Sequence, residues 1–173
     1  RRSRKRWRGI RVTLRRSKGA DVLMYHMIIR AKIRSLFDSL NAGNYEPILA
    51  TFAPKFEHWF VGTHALSGLR TSMPVTRAWY ERLFRIFPNI HFDLHNVVVS
   101  GWPWNTVVTV EWTDTYSLLN GEKRSNCGVH IIRLVWGRGV SLHIYCDTKL
   151  LIENLAIQEN GGIADAVFSP LIG

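Results

Sequence analysis

A carboxylate, an amide and an imidazole fall where an alternating strand pattern is otherwise apolar, and of all residues in this 173-residue chain they are the best suited to chemistry. Reading every second residue gives Val108, Val110, Trp112, Asp114 and Tyr116; then Asn126, Gly128, His130, Ile132 and Leu134; then Val140, Leu142, Ile144 and Cys146. The alternate set, with Thr109, Glu111, Thr113, Thr115, Arg133, Ser141, His143 and Asp147, is far more polar. Period-two segregation marks antiparallel strands with one dry face. A polar group on such a face is costly unless hydrogen-bonded, so Asp114, Asn126 and His130 need structural partners or a job.

The chemistry these types allow is acid–base. An imidazole titrates near neutrality and is moved across it by burial or a neighbouring carboxylate, which makes His130 a candidate proton carrier. Asp114, flanked by Trp112 and Tyr116, is expected to have a raised pKa and to act as base or acid. Tyr116 and Asn126 can donate to a developing enolate or alkoxide. Trp112, Trp79 and Trp59 would form an aromatic wall for a flat apolar ligand, with Ile144 and Cys146 completing the lining. His58 shares a strand face with Phe56 and Phe60 and would reach the pocket mouth. Each has a plainer reading: a hydrogen-bonded core histidine, a structural carboxyl, a core tryptophan on a helical stripe, a cysteine serving as a small hydrophobe. His91 and His95 are spaced for one face of a helix but fall on a strand, so no metal site is expected. No glycine-rich phosphate loop and no nucleophile elbow is present, and no cofactor is called for.

Several elements must position these residues. Val22, Tyr25, Ile29, Ile33, Leu36, Phe37 and Leu40 make a helical stripe over 21–42, followed by Gly43. Asn44 can cap a short second helix that stops near Pro54. Residues 56–61 alternate as a strand; Ser72 and Pro74 open a helix that Pro88 ends; 90–100 reads as a strand and 101–105 as its turn. Three strands follow, turning near Asn120-Gly121 and Gly137-Arg-Gly139, then a helix over 149–157. The expected fold is α+β, a curled, mostly antiparallel sheet wrapped around N-terminal helices as a cone-shaped barrel. An Asn-Gly pair usually makes a two-residue turn, which would set Asp114 and His130 on opposite faces. The apolar pattern demands odd-length connections with bulge glycines, which keep even-numbered residues together on all three strands.

Ten of the 23 basic residues and none of the 13 acidic ones lie in residues 1–18, so the formal charge of +10 belongs to that arm and the remainder is balanced. Residues 1–20 are expected as a disordered basic arm, 21–157 as the domain and 158–173 as a loose tail. Nucleic-acid contact is expected only as weak contacts of the arm. Two cysteines suit a reducing interior, and no apolar run approaches membrane-helix length. A cytoplasmic protein without membrane contact is expected, homodimeric through an outer sheet face carrying Val129 and Ile131.

From about Ile29 to Ala156 the chain resembles the SnoaL-like, nuclear-transport-factor-2-like superfamily, which includes ketosteroid isomerases and limonene epoxide hydrolases. The resemblance rests on "LNAGNYEPILATFAP", "FEHWFVG…LSG", "AWYERLFRIFPNIHFDLHNVVVSG", "VTVEWTDTYSLLNGEK" and "GVHIIRLVWGRGVSLHIYCD". It implies a cone with a hydrophobic small-molecule pocket and cofactor-independent isomerase- or cyclase-type chemistry on a carbonyl-bearing substrate. A non-catalytic binder and a dimeric interaction module are the alternatives. "EWTD" resembles the epoxide hydrolase stretch that supplies an arginine and an aspartate; Asp114 keeps the second and Trp112 replaces the first. Ile144 stands where hydrolases and cyclases bear a catalytic aspartate, and Phe60 near the isomerase base. His130 falls where isomerases keep a proton-donating carboxyl and cyclases a histidine.

Overall fold

The computed structural model describes residues 18–173, so the basic arm lies outside the described residues except for its last three, which are already helical. The first helix, α1 (Lys18–Asn41), leads into a single turn, α2 (Glu46–Leu49). The Asn44 side chain accepts the Glu46 N–H (3.2 Å) and so starts that turn. Then come β1 (Phe52–Phe60), β2 (Gly68–Arg70), α3 (Met73–Ile86), β3 (His91–Trp102), β4 (Asn105–Ser117), β5 (Lys123–Val135), β6 (Arg138–Cys146) and α4 (Thr148–Asn160). Asp147 begins α4 by accepting the Leu150 N–H (3.1 Å) through Oδ1. No helix among the described residues is long and apolar enough to cross a membrane.

The six strands form one sheet in the order β2-β1-β6-β5-β4-β3, antiparallel except for the β1–β6 pair. Its curled inner face meets α1 through Ile29, Ile33, Phe37 and Leu40, and α3 through Trp79, Tyr80, Leu83 and Ile86. The fold is the α+β cone expected. β2 was not foreseen, because three residues are too few to show alternation.

Register sets the site. On β4 and β5, Asp114 lies opposite Asn126, Trp112 opposite Gly128 and Val110 opposite His130, so even residues share the inner face. The five-residue connection 118–122 is odd-length, as the apolar pattern requires. Between β5 and β6 parity is kept differently. A two-residue turn, Trp136-Gly137, has φ of 51° and 74°, and a bulge beside Arg133 and Leu134 then restores the even pairing of His130 with Ile144.

Residues 158–173 are held against the body rather than loose. Arg82 Nη1 donates to the Ser169 carbonyl (2.8 Å) and Arg70 Nη1 to that of Leu171 (3.2 Å), while the Gly173 N–H bonds the Leu69 carbonyl (3.1 Å). Two buried arginines thus find acceptors in the backbone of this segment.

Candidate functional site

A cavity of about 100 Å³ lies between the inner sheet face and the helices. Its wall is apolar, with Ile33, Phe37, Leu83, Phe92 and Leu142 among the residues that form it. The polar groups reaching it include Asp114, Tyr116, Asn126, His130 and Tyr80. Lys32 is exposed, and with half-buried Leu36, Ile48, Thr51 and Gly137 it marks where this lining meets solvent.

Asp114 is buried and accepts the Asn126 backbone N–H through Oδ1 (2.9 Å). That is the only side-chain hydrogen bond it makes among the described residues, and the residue lines the cavity. Burial pushes the carboxyl up to about 7, opposed by that one hydrogen bond. At neutral pH the group therefore exists in both forms. Tyr116 is its neighbour on the strand face; burial, then the Asp114 charge, push the phenol upward, and its oxygen accepts from Asn154 Nδ2 (2.7 Å). Cys146 is pushed up to about 12 by burial first and Asp114 second, which removes its thiolate at neutral pH.

His130 is held in one tautomer. Trp112 Nε1–H donates to Nδ1, so the ring proton of the neutral imidazole sits on Nε2. Burial lowers its pKa to about 3, so the ring is neutral, and no hydrogen bond to Nε2 is formed among the described residues, where the only side-chain bond to the ring is that of Trp112 to Nδ1. Phe37 meets the ring edge-on at 5.4 Å. Trp112 reaches His130 by crossing the glycine opposite it. A Cβ on Gly128 would stand 2.4 Å from the indole and 2.3 Å from the Tyr145 carbonyl oxygen. Gly128 thus creates the space the contact occupies, and its place in the apolar alternation is the signal that could have found it.

Asp114 and His130 share a face but form no dyad. Four residues of strand separate their rungs, about 13 Å at 3.3 Å per residue, with the Trp112 indole between. Asn126 is committed to structure: Oδ1 accepts the Cys127 N–H (2.8 Å) and Nδ2 donates to the Asp147 carbonyl (3.0 Å). Ile144 pairs directly with His130 across β5 and β6.

Two residues of the expected aromatic wall and mouth, Trp59 and His58, are placed differently, and Trp79 lines the cavity as expected. Trp59 points outward, its ring 5.4 Å from His143 and 5.3 Å from Tyr145, because Phe56, His58 and Phe60 take the inward positions of β1. Trp79 lines the cavity, yet its Nε1–H is used on the Leu66 carbonyl (2.7 Å), anchoring the loop before β2. His58 is fully buried behind Trp79, Tyr80 and Phe52 rather than at a mouth. Its Nδ1 accepts from Arg70 Nε (2.8 Å), and burial, then the Arg70 charge, hold its pKa well below the usual value. Tyr80 is a cavity residue that the helical stripe did not single out. Its phenol is pushed up by burial, with Arg70 opposing.

The fold recurs in known proteins. The chain resembles an NTF2-like protein of unknown function from Burkholderia pseudomallei, with a TM-score of 0.64 at 19% identity over 72% of this chain and 95% of that one. TerC, co-crystallised with polyporic acid, aligns with a TM-score of 0.62 at 16% identity over 72% and 95%. IdmH, a candidate polyketide cyclase from Streptomyces antibioticus, gives 0.60 at 15% over 73% and 97%. These identities carry the fold alone. No curated protein matches the chain. The family model for the SnoaL-like domain matches residues 33–142, nearly two-thirds of the sequence, and the chain belongs to that family.

Proposed function

We propose that the chain catalyses cofactor-independent proton transfer on an uncharged, hydrophobic, carbonyl-bearing small molecule. Asp114 is the base and acid, and His130 is the donor that holds the oxygen. One observation carries this: a carboxyl pushed up to about 7 in the lining of an apolar cavity. In the reaction, Asp114 removes a proton from a carbon and the C–H electron pair moves into the conjugated system. The carbonyl oxygen becomes an enolate stabilised by His130 Nε2–H, and Asp114 returns the proton to another carbon. Atoms and charge balance without a second reactant.

The separation of the two groups narrows the substrate. A carboxyl and a donor on rungs about 13 Å apart serve a conjugated molecule whose acidic C–H and oxygen lie at different ends, stretched along the Trp112 indole. The cavity volume of about 100 Å³ holds about one ring at rest, so a substrate long enough to touch both groups has to widen it on binding. Polyporic acid in TerC and the polyketide-cyclase description of IdmH support a small-molecule ligand for this fold.

The test is deuterium incorporation from D2O into a panel of conjugated cyclic ketones, read by mass spectrometry. Wild-type exchange should rise from pH 6 to 8 with an inflection about 7, and Asp114→Asn should lower it at least a hundredfold. Exchange at the wild-type rate in that variant removes the proposal. The alternative is a non-catalytic binder, favoured by apolar Ile144 opposite His130. A ligand retained through purification and released chemically unchanged supports it. Homodimerisation would use the outer sheet face, where Val107, Ile131 and Tyr145 are exposed; a strictly monomeric mass by light scattering would contradict that.

A further inference from the structure

Two turns far apart in sequence bring three tryptophans together at one end of the sheet. Trp102 and Trp104, across the β3–β4 turn, stack at 5.4 Å with an interplanar angle of 7°, and Trp136 of the β5–β6 turn lies 6.1 Å from Trp104. The Trp136 N–H donates to the Pro103 carbonyl (2.6 Å), which ties the turns together. These indoles are not core: their exposures are 40%, 54% and 70%. The first turns of α1 reach the same end, since Tyr25 bonds Thr106 (2.7 Å) and His26 the Gly101 carbonyl (2.8 Å). That stretch of helix adds Leu23, Met27 and Ile28, each more than half exposed.

Apart from Asp21 in the first turn of α1, charge is one-sided here. From Val22 to Phe37, from Val97 to Val110 and from Val129 to Cys146 there is no acidic residue, while Arg30, Lys32, Arg34, Arg133 and Arg138 fall in those segments. Ten more Lys and Arg lie in residues 1–18, immediately before or at the start of α1. Exposed indoles with aliphatic neighbours and a surplus of cations match the headgroup region of an anionic bilayer, where tryptophan is enriched and each cation adds attraction.

We propose that this end of the molecule, built from the β3–β4 turn, the β5–β6 turn and the start of α1, is a docking surface for an anionic lipid bilayer. The exposed aliphatic side chains favour lipid over nucleic acid, which would use the indoles and the cations but leave those side chains in water. The cavity opens beside the patch: Gly137, the residue after Trp136, and Lys32 of α1 both belong to its lining. Docking therefore sets the mouth of an apolar cavity against an apolar phase, from which a water-insoluble ligand can enter. The inference does not depend on the chemistry proposed for Asp114.

The experiment is co-sedimentation of the full chain with vesicles of phosphatidylcholine alone or with a third phosphatidylserine, at low and high salt. Binding is expected to require phosphatidylserine and to weaken with salt. Trp104→Ala combined with Trp136→Asn should reduce partitioning at least tenfold. The second change leaves Asn-Gly in a turn with positive φ at both positions, the pairing such turns prefer, so a preserved melting temperature separates lost docking from lost folding. Arg4, Lys5, Arg6 and Arg8 all changed to Gln should weaken the binding to phosphatidylserine vesicles severalfold. Three results overturn the proposal: no vesicle binding by the wild type, unchanged binding by the tryptophan variant, or tryptophan-dependent binding of an oligonucleotide or of a second copy without vesicle binding.

Discussion

Replacing Asp114 with asparagine should stabilise the protein increasingly as pH rises, and the effect isolates the ionisation on which the proposed chemistry depends. Folding holds the proton on this carboxyl up to about pH 7, whereas an unfolded aspartate releases it near 3.9. Between those values the native state binds more protons than the unfolded chain, so stability falls with rising pH and the full penalty applies above about 7. A difference of about three pKa units, at 1.36 kcal/mol each, sets an upper limit of about 4 kcal/mol. Asparagine keeps an acceptor for the Asn126 N–H but makes a weaker, uncharged bond, which takes back about 1 kcal/mol.

The assay is urea unfolding of both proteins from pH 4.5 to 8. Groups other than Asp114 cancel in the difference, which should grow by about 3 kcal/mol in favour of the variant across that range. Its slope is the signature, because a packing effect shifts both ends equally. A difference that stays flat from pH 4.5 to 8 would mean that Asp114 ionises as it does in water, and the base would have to be sought elsewhere.

Acid stability follows from the imidazoles with the opposite sign. His130, lowered to about 3, and His58, also lowered, contribute stability that is present above pH 6.5 and lost as pH falls, so His130→Gln should move the acid-unfolding midpoint downward. An unmoved midpoint counts against a neutral buried ring. Gly128→Ala should destabilise by about 1–3 kcal/mol and break the Trp112–His130 hydrogen bond, seen by ¹⁵N NMR as loss of the fixed Nε2–H tautomer. Ile144→Asp sets a carboxylate opposite His130 and should raise the histidine pKa by more than a unit in an NMR titration; no change would place the two side chains out of reach.

Alternation made much of this legible before any coordinates. Asp114, Asn126 and His130 fall on one face because a one-residue slip on any strand would bury threonines and expose valines. The rung was not legible: apolar periodicity fixes parity but is blind to shifts of two, and the bulge at Arg133 and Leu134 leaves no mark in composition. Trp59 was misplaced for the opposite reason. Tryptophan suggests a wall by its type, while its odd position beside Phe56, His58 and Phe60 already directs it outward. Gly128 and the Trp102–Trp104–Trp136 cluster depend on which side chains meet across turns, which only the tertiary arrangement decides. The docked tail was hidden because its acceptors are backbone carbonyls, indifferent to sequence.

One physical cause divides the roles in the cavity. Burial disfavours charge, so it moves a carboxyl upward and an imidazole downward, and both end nearer their neutral forms. The two shifts do not leave the groups equivalent. A carboxyl at about 7 crosses its titration point at neutral pH and can take a proton, whereas an imidazole at about 3 stays neutral throughout and can only lend its N–H. Among the described residues no ion pair lies in the cavity to attract a charged ligand, and the wall around these groups is largely hydrocarbon. A charge that develops during reaction, on an enolate oxygen for example, would meet a fixed donor whose Nδ1 is already held by Trp112. In the proposed reaction, selectivity for an uncharged substrate and stabilisation of a charged intermediate would have the same origin, a dry pocket with one donor set in advance.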